Sequence, residues 1–142
     1  MGFFNKMFSG RKEVAQLDAA SPAARRLAEK RSELEELTRE IKDNLEIVPG
    51  SERTWVFVGK PPKRFGLVWI EGSEVKNLKT LVDEKGIGPD RMSRIVDDLR
   101  EAYLHAEDEP RFDTEVAGRH VRVAPSSKLE HQVEEIITRA EM

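Results

Sequence analysis

One stretch of this 142-residue chain, Thr54–Glu71, constrains the fold more than any other, because it holds both tryptophans within the densest apolar run of the sequence. Two extended apolar runs flank a turn in which two adjacent prolines restrict the backbone. The pattern predicts a β-hairpin whose tip carries three cations, Lys60, Lys63 and Arg64.

This hairpin is apolar on both faces, because successive side chains of a strand point to opposite sides. One face is aliphatic; the other carries Trp55, Phe57, Phe65 and Trp69. Apolar faces of this size need a cover. We expect helices and a second copy of the chain to cover the sheet. The alternative is an open aromatic face that binds a peptide, a base or an apolar ligand.

A helical stripe of leucine and isoleucine side chains precedes the hairpin. It runs from Ser21, a predicted N-cap followed by proline, to Val48, and predicts one helix of about 26 residues whose first turns protrude. After the hairpin the patterns predict helices over 74–85 and 89–106, strands over 112–116 and 120–124, and a helix over 128–140.

The element order α-ββ-αα-ββ-α indicates an α+β fold, with an antiparallel sheet of about four strands in two hairpins and helices on one face. The length suits one domain. We therefore expect residues 1–20 to form a flexible arm and residues 21–142 to form a single α+β domain.

The composition excludes several chemistries. The chain has no cysteine, which rules out disulfides, thiolate nucleophiles and cysteine-ligated metals and is typical of a reducing cytoplasm. No apolar run reaches the roughly 20 residues of a membrane span, and no signal peptide is recognisable. We expect a cytoplasmic location, with peripheral membrane association as an alternative.

The membrane alternative depends on the N-terminal arm. Phe3, Phe4 and Phe8 lie on one side of a short amphipathic segment, with Lys6 beside them. Such a segment can insert into an anionic membrane interface or a partner groove. The other interpretation, which we favour, is that it folds back to cover the domain's own core or a dimer contact, or is disordered.

A nucleic-acid alternative depends on two basic features in a chain of net charge −3. Residues 1–64 carry 13 Lys/Arg and 10 Asp/Glu, so a basic footprint is expected in the first half, including the hairpin tip. The turn Lys85–Asp90, with Gly86 and Gly88 around an isoleucine, resembles a helix-hairpin-helix motif. That resemblance implies backbone N–H groups that contact a nucleic-acid phosphate. The other interpretation is a tight corner with Ile87 in the core.

No catalytic constellation is recognisable. The three histidines, His105, His120 and His131, lack the spacing of a metal site, and the phosphate-binding, dinucleotide and serine-nucleophile motifs are absent. Carboxylate pairs are adjacent on helices and point apart. We predict no enzyme activity, no metal and no cofactor.

The sequence thus favours a non-enzymatic protein–protein interaction module that self-associates as a homodimer. We expect it to contact a partner through Trp55, Phe57, Phe65 and Trp69 and through the N-terminal phenylalanines.

Overall fold

A computed structural model describes residues 14–142, and within that range five helices cover one seven-stranded mixed sheet. The strand order is β1-β6-β7-β2-β3-β4-β5. In chain order the elements are β1 (Ala15–Gln16), α1 (Pro22–Glu29), α2 (Arg31–Glu40), β2 (Leu45–Val48), β3 (Arg53–Lys60), β4 (Arg64–Glu71), β5 (Glu74–Asn77), α3 (Leu78–Lys85), α4 (Pro89–His105), β6 (Phe112–Val116), β7 (Arg119–Val123) and α5 (Ser127–Ala140).

The predicted α+β class is confirmed, and both predicted hairpins are present as β3–β4 and β6–β7. The expected sheet of about four antiparallel strands is wrong in detail. The two hairpins are joined through β2, which runs parallel to β7 and antiparallel to β3. β1 and β5 then extend the sheet at its two ends.

The single long helix predicted before the hairpin is also wrong. Ser21 caps the helix as expected, accepting from the amide of Ala24 at 3.1 Å, but helical structure ends at Glu40. Leu45–Val48 is the strand β2, and all four of its residues are buried. A strand covered on both faces shows no alternation, so its apolar residues continued the helical stripe in the sequence.

The helical segment is further divided at Lys30, whose φ and ψ of −115° and 24° separate α1 from α2. The Lys30 ammonium donates to the carbonyl of Gly72 at 2.7 Å, which holds this bend over the turn between β4 and β5. Leu27 of α1 is buried. The first turns therefore pack on the sheet and do not protrude.

Two further segments differ from their predicted structure. The helix expected over 74–85 begins only at Leu78, because Glu74–Asn77 pairs with β4 as β5. Asn77 then caps α3 reciprocally with Thr80. Ala15–Gln16, within the segment expected to be a flexible arm, pairs with β6.

Helices cover both faces of the sheet, not one. The aromatic face packs under α3, α4 and α5 in one core, and the aliphatic face packs under α1 and α2 in a second core. The protein's own helices thus supply cover on each side. Within residues 14–142 no helix is long and apolar enough to cross a bilayer.

Candidate functional site

A groove of about 410 Å³ lies between α4 and α5. Its floor is apolar, made by buried Ile95 and Ala140 and half-buried Ile136. These residues belong to the stripes that fasten both helices to the aromatic core, so the floor rests on a packed base. The charged side chains that line it are Arg91, Arg94, Arg139, Asp97 and Asp98.

Arginine side chains dominate the rim of this groove. Arg91 donates to the backbone carbonyls of Arg139 and Ala140 at 3.4 and 3.5 Å, where a cation is favourable because these carbonyls end α5. Both bonds are long, which leaves most of the donor capacity of Arg91 for another acceptor. Arg94 is exposed and forms no ion pair within residues 14–142.

The acidic side chains of the groove are partly neutralised. Asp97 accepts from Arg100 at 2.7 Å, and Arg100 is itself fixed by a 2.8 Å bond to the carbonyl of Pro62 and by its position over the Phe65 ring. Arg91 and Arg94 therefore remain to act on a ligand, while Arg139 is paired with Glu135 and Asp98 forms no ion pair within residues 14–142. An apolar floor below a cationic rim suits a ligand with an apolar side chain and nearby carboxylates.

The residues predicted to contact a partner lie elsewhere. Trp55, Phe57 and Trp69 have no exposed surface, and Phe65 is half-buried beneath the Arg100 guanidinium. The two tryptophan rings contact each other at a centroid distance of 5.4 Å. In this fold they stabilise the core and offer no surface to a partner. Phe3, Phe4 and Phe8 lie outside the described residues.

The cationic tip of the β3–β4 hairpin is exposed. Lys60 and Arg64 form the last pair of the hairpin, and Lys63 lies in the turn between them. None of these three cations forms an ion pair within residues 14–142. The tip is held against α4 by Arg100, which contacts the carbonyls of Pro62 and Lys63.

The glycines of the helix-hairpin-helix-like turn form a corner between α3 and α4. Gly86 adopts the left-handed conformation, with φ of 66°, and ends α3. Gly88 occupies the N-cap of α4, and Ile87 between them is buried in the aromatic core. The turn thus packs as a corner between the two helices. At the start of α4, Pro89 has no backbone N–H to donate to a phosphate, and Asp90 adds a negative charge.

A second cavity, of about 290 Å³, lies between the first turns of α1 and α5. At each helix start a backbone N–H already donates to the hydroxyl of a serine cap, Ser21 in α1 and Ser126 in α5. Burial raises the pKa of Glu130 in its wall, and nearby Glu134 raises it further. One arginine faces two carboxylates here, so the cavity is a weaker anion site than the groove.

The histidines do not converge. Within residues 14–142 no group of three or more His, Cys, Asp or Glu side chains is arranged to hold a metal ion. His120 lies on the surface, with Nδ1 2.8 Å from Asp113 Oδ2. No serine or threonine hydroxyl in the same range is hydrogen-bonded to a histidine.

The arginine groove was not predicted from the sequence. Its one visible signal is the pair Arg91 and Arg94, three residues apart beside the apolar stripe of α4. Its other wall, Ile136 and Arg139, lies more than 40 positions away along the chain, and only the packing of α5 on α4 brings the two together.

Comparison with known proteins returns no relative: no family model, no curated protein and no solved structure matches this chain. An assignment of function therefore depends on the geometry of the surface.

Proposed function

We propose that this protein is a non-enzymatic protein-binding module whose α4–α5 groove takes an acidic, apolar-anchored segment of a partner protein. The observation that carries the proposal is the apolar floor of Ile95, Ile136 and Ala140 beneath the exposed guanidinium groups of Arg91 and Arg94. An apolar side chain of the partner would bury itself on the floor, and its flanking carboxylates would accept from the arginines.

The geometry of arginine supports a carboxylate ligand. A guanidinium presents parallel N–H donors that match the two oxygens of one carboxylate, and such charged hydrogen bonds are stronger than neutral ones. Further affinity would come from the partner's apolar side chain on the groove floor, because burial of apolar surface contributes about 25 cal/mol of favourable free energy per Å². The groove is open to solvent, which favours a modest, reversible association.

Nucleic acid is the less favoured ligand. A polyanionic backbone would meet Asp90, Asp97 and Asp98 along the same helix that carries Arg91 and Arg94, and the chain's net charge is −3. The cations of the hairpin tip, Lys60, Lys63 and Arg64, are the surface that a nucleic-acid function would use instead. Loss of such binding on reversing these three charges would identify it.

The proposal is tested with two synthetic probes, a peptide that alternates glutamate with leucine and the same peptide with glutamine for glutamate. Fluorescence anisotropy should show binding of the acidic probe only. The double variant Arg91→Glu/Arg94→Glu should weaken this binding at least tenfold, which corresponds to about 1.4 kcal/mol. Circular dichroism should confirm that the variant remains folded.

A matched control carries the same change in charge away from the groove. Arg25 and Lys79 are exposed on α1 and α3, and Arg25→Glu/Lys79→Glu should bind the acidic probe with unchanged affinity. An equal loss of affinity in both double variants would show that binding depends on net charge and not on the groove. Absence of binding by the native protein would refute the groove as a peptide site.

A further inference from the structure

The outer edge of β5 is open within the described residues. β5 pairs with β4 on one side only and ends the sheet. The outward N–H and C=O groups of such an edge are free to pair with another strand. Val75, at its centre, is 49% exposed, which is unusual for an aliphatic residue in a strand of this protein.

The charges along β5 are unbalanced in the single chain. Glu74 lies directly opposite Glu71 of β4, and like charges in that position destabilise a sheet. Lys76 approaches Glu71 at 3.6 Å. Glu74 has no cation within salt-bridge distance among residues 14–142, whereas Glu71 has two, Lys76 and Arg53, the latter at 3.4 Å.

Antiparallel pairing of two β5 strands about Val75 removes this imbalance. In that register Val75 of each copy lies opposite Val75 of the other, and Glu74 of each copy lies opposite Lys76 of the other. Both matches arise from the order Glu-Val-Lys in one strand. A shift by one residue places Val75 opposite Lys76 and loses both matches.

We infer that the outer edge of β5 is an interaction surface for a second copy of this chain, which docks antiparallel with Val75 on the two-fold axis. The pairing extends the sheet across both copies and buries the exposed valines against each other. Such a contact is isologous and therefore closes at two subunits. A strand of four residues buries little area, so the dimer belongs among weak associations. This inference is independent of the arginine groove.

Disulfide trapping tests the register. The chain has no cysteine, so Val75→Cys introduces a single thiol without background. Directly opposed residues of antiparallel strands have Cα atoms about 4.5–5.5 Å apart, within the range that a disulfide spans. Under mild oxidation Val75→Cys should form a covalent dimer rapidly. Val82→Cys, at a position that is 40% exposed on α3, should form it much more slowly. Equal rates would overturn the inference.

Charge exchange tests the contact in solution by sedimentation equilibrium at high micromolar concentration. The native chain should show a mass above 16.2 kDa that rises with concentration. Glu74→Lys, which sets lysines opposite each other, should be monomeric, and Glu74→Lys/Lys76→Glu should regain the native association. A native chain that stays monomeric, or a dimer that Glu74→Lys leaves intact, would refute the β5 contact. Arg91→Glu/Arg94→Glu should leave the dimer unchanged, which separates this result from the fate of the groove.

Discussion

The Tyr103 hydroxyl donates a 2.8 Å hydrogen bond to Glu46 Oε1 and so ties α4 to the central strand β2. Arg111 Nε holds the other carboxylate oxygen at 2.7 Å, and the same guanidinium donates to the carbonyls of Ala106 and Glu109. The side chains of Glu46 and Arg111 are 8% and 9% exposed. A carboxylate buried to this degree is tolerated because both of its oxygens are bonded.

We predict that Arg111→Met lowers the free energy of unfolding by about 3–5 kcal/mol, because it leaves the Glu46 charge buried without its cation. Tyr103→Phe should cost about 1.5–3 kcal/mol, the typical contribution of a hydrogen bond to a charged group. Urea denaturation monitored by circular dichroism measures both. The control is Arg139→Met, which removes an exposed ion pair with Glu135 and should cost less than about 1 kcal/mol. Similar losses of unfolding free energy for Arg111→Met and Arg139→Met would show that the buried pair of Arg111 and Glu46 contributes no more than a surface pair.

Tyr103 is the only tyrosine of the chain, so its ionisation can be followed alone by ultraviolet absorbance of the tyrosinate. Burial raises its pKa to about 12, and the negative charge of Glu46 adds to the effect. Since the folded pKa lies above the ordinary value of 10, the associated stability is complete below pH 10 and is lost as the pH rises through about 12. The free energy of unfolding of Tyr103→Phe should not show this loss at high pH. A titration midpoint at 10 in the folded protein would contradict it.

The tryptophan pair gives a test of whether the aromatic face is core or interface. Trp55 and Trp69 are fully buried within one chain, so their emission should be blue-shifted, resist quenching by acrylamide and not depend on protein concentration. The indole N–H groups of both rings lack a hydrogen-bond partner in the described residues. Quenching that falls as concentration rises would instead place these rings at a contact between copies.

Much of the local structure was predictable because it is specified by neighbouring residues. The serine before Pro22, Gly86 after α3 and the Ala117–Gly118 turn each carry a capping or turn signal within a few positions. The alternation of β3 and β4 predicted the hairpin and favoured a cover on both of its faces, with an open aromatic face as the alternative. What the pattern did not contain was the identity of the cover.

The remaining features depend on distant segments. β2 is recognisable as a strand only once α2 and α4 are known to lie on its opposite faces, because burial on both sides removes the alternation. Its parallel pairing with β7 joins residues more than 70 positions apart. The arginine groove has the same origin, since Arg94 and Arg139 become neighbours only through the packing of α5 on α4.

The β6–β7 turn contains a residue that limits stability. Ala117 has a φ of 51° and Gly118 a φ of 80°, a pair of left-handed conformations that favours asparagine or glycine at the first position. We predict that Ala117→Gly or Ala117→Asn stabilises the protein by roughly 0.5–1 kcal/mol, because the left-handed backbone is unfavourable for alanine. Gly118→Ala should destabilise by a similar amount. Thermal denaturation of the three variants measures this, and a lower melting temperature for both position-117 variants would contradict it.

The surface pair of His120 and Asp113 gives a prediction about pH. The hydrogen bond that the His120 ring donates to the Asp113 carboxylate raises the pKa of His120 above 6.5, and the charge of the same carboxylate adds to the effect. Because the folded pKa is the higher one, the contribution of this pair to stability is present below pH 6.5 and disappears as the pH rises through the folded value. Nuclear magnetic resonance titration of the His120 ring should give a lower pKa in Asp113→Asn than in the native chain. The shift should shrink in high salt, since the imidazole is 71% exposed and its attraction to Asp113 is screened. Identical titration curves for the native and Asp113→Asn chains would show that the two side chains do not pair in solution.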